Sequence, residues 1–181
     1  MMSKVASDQP PRATDRPGKA PDSGERLYNM RIDRDGVWHH EGRPIARMPL
    51  VKLFASVLKR DSAGDFWLET PVERGRIEVE DAPFVVIELE AAGSGREQTV
   101  RMRTNLDEWV TIGPDHPLRL RLPRSGPATS PLPYVDVRPT LEGRLLRSVY
   151  YELVALGDSH RLGGVLLYGV WSAGRFFPLE S

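Results

Sequence analysis

Thr99-Val100-Arg101-Met102-Arg103-Thr104 alternates without a break, Val100 and Met102 on one side, Arg101 and Arg103 on the other. A period of two marks a strand with one buried face. Leu118, Leu120 and Leu122 repeat the pattern against Arg119 and Arg121. Between these runs, Asn105-Leu106-Asp107-Glu108 reads as a turn and Trp109 to Ile112 as a strand. Upstream, Phe84 to Glu90 begins apolar and β-branched and is followed by the hairpin loop Ala91-Ala92-Gly93-Ser94-Gly95. The middle of the chain is therefore β-rich.

Helical spacing occurs twice. Leu50, Leu53, Phe54, Val57 and Leu58 form one apolar stripe, with Pro49 suited to the first turn and Asp61-Ser62-Ala63-Gly64 as its stop. Leu145, Leu146, Val149, Tyr150, Leu153, Val154 and Leu156 form another. Pro139-Thr140 is expected to introduce that second helix with Thr140 as N-cap, and Gly157 to end it. Tyr28 to Asp33 and Val37 to His40 read as a hairpin around Asp33-Arg34-Asp35-Gly36. Glu41-Gly42 turns into Arg43-Pro44-Ile45. Phe66 to Thr70, Ile77 to Val79 and Tyr134 to Arg138 are further strands. Leu162 to Trp171 reads as one long apolar strand with Gly163-Gly164 as a bulge, and Arg175 to Leu179 closes the chain. Pro123 to Pro133 reads as an exposed loop. Two helices among many antiparallel strands, with no βαβ alternation, define an α+β class.

The 181 residues carry 25 basic and 25 acidic side chains and no cysteine. Disulfides, thiol nucleophiles and thiolate zinc sites are excluded, and zero net charge argues against a protein that coats nucleic acid. No run approaches the roughly 20 apolar residues of a membrane span. Residues 1–26, with Pro10, Pro11, Pro17 and Pro21, read as a disordered tail without the apolar core of a secretory signal, so a cytoplasmic location is the expectation. Residues 27–83 are expected to form an N-terminal α+β lobe, and residues 84–181 a β-rich C-terminal lobe with one long helix. Gly36-Val37-Trp38 followed by Gly42-Arg43 echoes Gly169-Val170-Trp171 followed by Gly174-Arg175, which raises a duplicated unit.

Catalytic signatures are weak. His39 and His40 point to opposite faces of a strand and cannot chelate together, so no metal is assigned. Gly93-Ser94-Gly95 lacks the context of a nucleophile elbow, and no phosphate-binding glycine loop opens a helix. No cofactor is implied. Glu69, Glu73, Glu78, Glu80 and Asp81 read as a solvated strand edge. The basic residues are skewed, 21 Arg to 4 Lys, and guanidinium suits bidentate recognition of phosphate or carboxylate. If the strands bearing Arg101, Arg103, Arg119 and Arg121 are neighbours, four guanidinium groups share one face, with Thr104, Asn105 and His116 in the adjoining turns.

Asp35-Gly36-Val37-Trp38, Thr70-Pro71-Val72-Glu73, Val79 to Phe84, Arg103-Thr104-Asn105, His116-Pro117-Leu118, Gly169 to Ser172 and Phe176-Phe177-Pro178 together resemble the bacterial domain-of-unknown-function family 1285, over about Tyr28 to Leu179. The resemblance implies an α+β core with internal duplication and a C-terminal half like pleckstrin-homology-like folds. It also implies a site between the halves for a nucleotide-like molecule and a role in signalling. It brings no catalytic residues.

The leading expectation is a regulatory or signalling module, not an enzyme, that holds a small anionic ligand between two lobes. Arg101, Arg103 and Arg119 would meet the anion, Thr104, Asn105, His116, Thr70 and Glu73 would complete the pocket, and Trp38 or Trp109 would stack on a ring. The four tryptophans also suit core anchors. One rival is a protein–protein adaptor presenting strand edges and Tyr150 or Tyr151. Another is a hydrolase using Glu69, Glu73 or His116.

Overall fold

The first strand, β1 (Arg26–Ile32), buries Met30 and Ile32 and turns outward at Asn29 and Arg31, and this alternation sets the inner face of the first sheet. The structure, a computed structural model, describes residues 26–127 and 129–180. The expected disordered tail lies outside the described residues except at Arg26, which opens β1.

In chain order β1 is followed by β2 (Trp38–His40), β3 (Arg43–Pro44), α1 (Met48–Ser56), β4 (Leu58–Arg60), β5 (Phe66–Glu69) and β6 (Arg74–Val79). These strands form a six-stranded sheet in the order β3-β2-β1-β6-β5-β4, with β1 and β6 parallel and the other pairs antiparallel. Next come β7 (Phe84–Ala92), a 3-10 turn (Gly95–Glu97), β8 (Thr99–Thr104), β9 (Trp109–Thr111), β10 (Leu118–Arg121), β11 (Leu132–Arg138) and β12 (Leu141–Leu145). They make a second sheet, β10-β11-β12-β7-β8-β9, in which β7 and β12 run parallel. The chain ends with α2 (Arg147–Ala155), β13 (Asp158–Leu162), β14 (Val165–Ser172) and β15 (Arg175–Pro178), the strands forming a three-stranded antiparallel sheet. The molecule is mixed α+β, mostly strand, with two helices. No helix among the described residues is long and apolar enough to cross a membrane.

Both helices form where the apolar stripe meets a sheet. Val51 and Ala55 are the buried residues of α1, and Pro49 occupies its first turn, where a missing N–H costs nothing. Val149 and Leu153 are their counterparts in α2. One continuous apolar core runs from Ile32 and Trp38 through Phe84, Val86 and Met102 to Leu153 and Val170.

Three sequence expectations need correction. The first helix stops at Ser56, because Leu58-Lys59-Arg60 pairs with Leu68-Trp67-Phe66. The hydrogen bonds of that pairing outweigh the helical spacing of Val57 and Leu58. Pro139-Thr140 does not open α2. Thr140 has φ +65° at the corner between β11 and β12, and Leu141, Gly143 and Leu145 are buried while Glu142 and Arg144 alternate with them. Leu162 to Trp171 is two strands. Gly163 and Gly164 (φ +58° and +90°) make a two-residue hairpin turn of the primed type, which suits the strand twist, rather than a bulge. The Trp-bearing echo places its two copies in β2 of the first sheet and β14 of the third. Both are followed by a two-residue turn of positive φ, Glu41-Gly42 and Ala173-Gly174.

Candidate functional site

The arginines singled out by sequence do not converge. β8 and β10 share the second sheet but sit four strands apart, about 19 Å at the usual strand spacing of about 4.8 Å. Each cation is already matched. Arg101 reaches Glu90 (3.6 Å) and lies over the Trp109 ring (4.9 Å). Arg103 binds Glu88 (Nε–Oε2 2.7 Å) and Asp107 (2.9 Å), and the bond to Glu88 raises the Arg103 pKa above its ordinary value. Asp107 is lowered, first by Lys52 and then by Arg103. Arg119 pairs with Asp136. The face is a ladder of ion pairs, screened and of small individual worth.

The remaining predicted residues are mostly structural. Thr104 is fully buried, and its hydroxyl accepts the N–H groups of Leu106 (3.3 Å) and Glu108 (3.2 Å). Thr70 accepts the Val72 and Glu73 N–H groups. Glu73 takes the Tyr28 hydroxyl and lies 3.8 Å from Arg26, while Glu69 meets Arg74 at 3.5 Å. His116 pairs through Nδ1 with the Asp136 carbonyl (2.8 Å). Trp38 is buried against Phe54 (ring centroids 6.2 Å apart), in the core rather than in a pocket. His39 meets Asp33 (2.8 Å), and no trio of His, Asp or Glu placed for a metal occurs among the described residues.

Asn105 does stand between the lobes. Its side-chain carbonyl accepts the Val85 N–H (3.0 Å), its backbone N–H donates to the Val85 carbonyl (2.8 Å), and its amide donates to the Gly36 carbonyl (3.1 Å). It pins the β1–β2 turn to β7. Gly36 allows this by having φ +78° and no side chain: a Cβ there would lie 2.8 Å from the Asn105 amide nitrogen and 2.9 Å from Val85.

That docked turn forms one wall of a hollow of about 330 Å³ at the lobe junction. Arg34 and Asp35 come from the turn, Asp81 from the link between β6 and β7, Ser125 from the loop after β10, and Leu132 and Arg144 from β11 and β12. Arg144 donates to the Arg34 carbonyl (2.6 Å), and Arg34 donates to the Ser125 carbonyl (3.3 Å). Leu132 and Arg144 continue into an adjoining groove of about 380 Å³, walled by Arg147, Tyr150 and Tyr151 at the start of α2. Arg147 donates to the Tyr151 hydroxyl (2.7 Å). No side chain caps this helix and no acid lies in its first turn, so its N–H dipoles add positive potential beside Arg144 and Arg147.

Asp81 organises the floor. The sequence placed it on a solvated edge, yet it is only 2% exposed. It accepts the Tyr134 hydroxyl (2.7 Å) and the Arg124 N–H (3.1 Å), and faces Arg121 and Arg144 at 3.4 Å each. Burial, reinforced by Asp81, pushes the Tyr134 phenol far above its ordinary value. Arg121 also grips Glu142 and stacks on Tyr134 (3.5 Å to the ring centre). Burial alone would lower its pKa, but Glu142 outweighs that and the net shift is upward. A larger open depression, about 570 Å³, lies on the outer face of the first sheet. Its charged groups are largely spent, Arg31 on Glu80, Arg76 on Asp65 (2.6 Å) and His39 on Asp33, and every wall comes from one lobe. The junction hollow instead draws its walls from both lobes and sets Arg34 and Arg144 among Asp35 and Asp81, as sites at lobe junctions do.

A two-lobed α+β protein with a charged, partly aromatic cleft at the lobe junction is the class that fold and site define. The chain belongs to the DUF1285 family: residues 20–82 match the DUF1285 N-terminal domain of unknown function and residues 83–179 its C-terminal domain. It is similar to the crystal structure of a DUF1285 family protein from Silicibacter pomeroyi DSS-3, with 40% identity, a TM-score of 0.78, and coverage of 94% of this chain and 92% of that one. A DUF1285 family protein from Shewanella baltica OS155 is 26% identical with a TM-score of 0.56, over 73% of this chain and 94% of that one. No curated protein matches the sequence.

Proposed function

We propose that the protein is a regulatory module that binds a small anionic, nucleotide-like ligand at the lobe junction, in the cytoplasm, and signals through the set of the two lobes. The observation that carries this reading is the hollow shared by Arg34, Asp35, Asp81 and Arg144 and its continuation along Arg147, Tyr150 and Tyr151. The arginines and the α2 N–H groups suit a phosphate, and the tyrosine-walled groove suits a ring. Asp35 is 3.9 Å from Arg144 with a largely exposed side chain, so an incoming anion replaces that weak partner while the buried Asp81 keeps its own contact with Arg144. Duplication is part of this reading. What supports it is the strand order: each six-stranded sheet joins two three-stranded meanders through its first and last strands, laid parallel. A helix following the last strand of the second sheet supports the likeness of the C-terminal lobe to pleckstrin-homology-like folds.

Thermal melts against nucleoside mono-, di- and triphosphates test the reading. A saturable rise in Tm that is lost in Arg147→Ala and Arg34→Ala supports it. No rise with any of them at about 1 mM contradicts it. The adaptor reading keeps one specific support, the exposed apolar hairpin tip of Leu162, Val165 and Leu166. Capture of a stoichiometric partner that Leu166→Asp abolishes, without any nucleotide shift, would favour it.

A further inference from the structure

The loop after β10 has two sides. Pro123, Ser125 and Pro127 line the junction hollow, whereas Arg124 turns away onto the Phe66 ring, 5.0 Å from its centre. Arg60, the cross-strand neighbour of Phe66, lies 5.6 Å from the same ring centre. Two guanidinium groups from different lobes thus share one buried aromatic ring. Among the described residues Arg60 has no carboxylate within ion-pair distance, only the Gly64 carbonyl (3.4 Å). Among the described residues the carboxylate within ion-pair distance of the Arg124 guanidinium is Glu142 at 3.8 Å, which Arg121 already holds at 2.8 Å, with a weaker pull from Asp81. A cavity of about 230 Å³ opens beside Arg124, lined also by Asp65, Phe66, Arg76 and Glu78, and Arg60 borders it through Gly64. Arg76 holds Asp65 at 2.6 Å, and the Glu78 carboxylate on the same wall repels anionic charge, which restricts the space to a small anion seated on the arginine side.

We propose that Arg60 and Arg124 form a second anion site, separate from the junction hollow, that takes a single tetrahedral oxoanion such as inorganic phosphate. Half-buried like charges on one ring repel, and a bound oxoanion turns that repulsion into two charge-assisted contacts. The cation–π geometry holds both side chains in place beforehand. Burial, and after it the nearby Arg60 and Arg121 charges, lower the Arg124 pKa from its ordinary value and outweigh the opposing pull of Glu142 and Asp81. Occupancy would also stiffen the loop that supplies Ser125 to the hollow.

The experiment is a set of thermal melts in inorganic phosphate against chloride at constant ionic strength, on the full chain and on Arg60→Gln, Arg124→Gln, the double variant and Arg34→Ala. The expected result is a saturable Tm rise in the parent, about 3–6 °C at ten times Kd. It should be retained in Arg34→Ala and absent from the double variant. In chloride alone Arg60→Gln should melt no lower than the parent, because a repulsion has been removed. No saturable rise in the parent, or a rise that survives in the double variant, overturns the site. Loss of the rise in Arg34→Ala also overturns it, because the phosphate would then be held in the junction hollow.

Discussion

Replacing Asp81 by Asn removes one negative charge from a position that is almost fully buried and serves four partners at once. Truncating one member of a buried ion pair costs about 3–5 kcal/mol, since the partner is left charged and desolvated. Two features reduce that figure. Arg121 keeps Glu142, and Arg144 keeps the Arg34 carbonyl. The amide oxygen of Asn can still accept from either the Tyr134 hydroxyl or the Arg124 N–H, leaving one buried donor short by about 1 kcal/mol or more. The balance is a loss of about 3 kcal/mol, or roughly 6–12 °C in Tm for a domain of this size. Urea unfolding followed by circular dichroism measures it directly. Tyr134→Phe, which deletes one bond, should cost less, and the double variant should lose less than the sum of the singles because the two side chains share a bond. A loss below about 1 kcal/mol for Asp81→Asn, with strict additivity, would refute the claim that this carboxylate organises the floor of the hollow.

Gly36→Ala should destabilise by about 2–3 kcal/mol, because a Cβ meets Asn105 and Val85 inside 3 Å in a positive-φ backbone; a loss under about 0.5 kcal/mol in chemical denaturation would contradict the docked turn. Burial tends to raise the Asp33 pKa, but the bond to His39 and the N–H groups of Val37 and Asp35 outweigh it, and the net shift is downward. A depressed carboxylate stabilises above its unfolded pKa and loses that contribution as pH falls through its folded one. Asp33→Asn should therefore destabilise at neutral pH, by an amount that shrinks as pH falls through the carboxylate range, as read from melts across that range. Tyr134, raised by burial, gives the opposite sense: its contribution is complete below about pH 10 and fades as the unfolded phenol ionises above it. Native ultraviolet titration should leave a late phenol that Tyr134→Phe removes, and normal ionisation of all five tyrosines would count against the buried network.

Alternation made the β-rich class readable, since burial of Val100 and Met102 is a local property of one strand. Registers were less readable. Leu141, Gly143 and Leu145 lie beside a helical stripe, and only pairing with β7 and β11 selects the strand. The site was hidden for a related reason. An arginine on a strand advertises a charge, but the strand order decides which arginines meet, and that order is a long-range fact. Asp81 looked like one acid among five, yet its place between the lobes, followed by Ala82-Pro83, carries it inward to Tyr134. Asn105 was legible as a turn residue, and its contact with Gly36 was not. The signal that could have found the hollow was the Asp33 to Gly36 turn, where three charged residues run into a glycine.

The most direct test is a nitrogen-15 chemical-shift map of the protein titrated with a nucleoside monophosphate, including the arginine side-chain signals. The account expects saturable shifts at Arg34, Arg144, Arg147 and Tyr151, with Arg101, Arg103 and Arg119 unmoved. Shifts centred on that β8–β10 face, or no saturable shift at the junction, would contradict it.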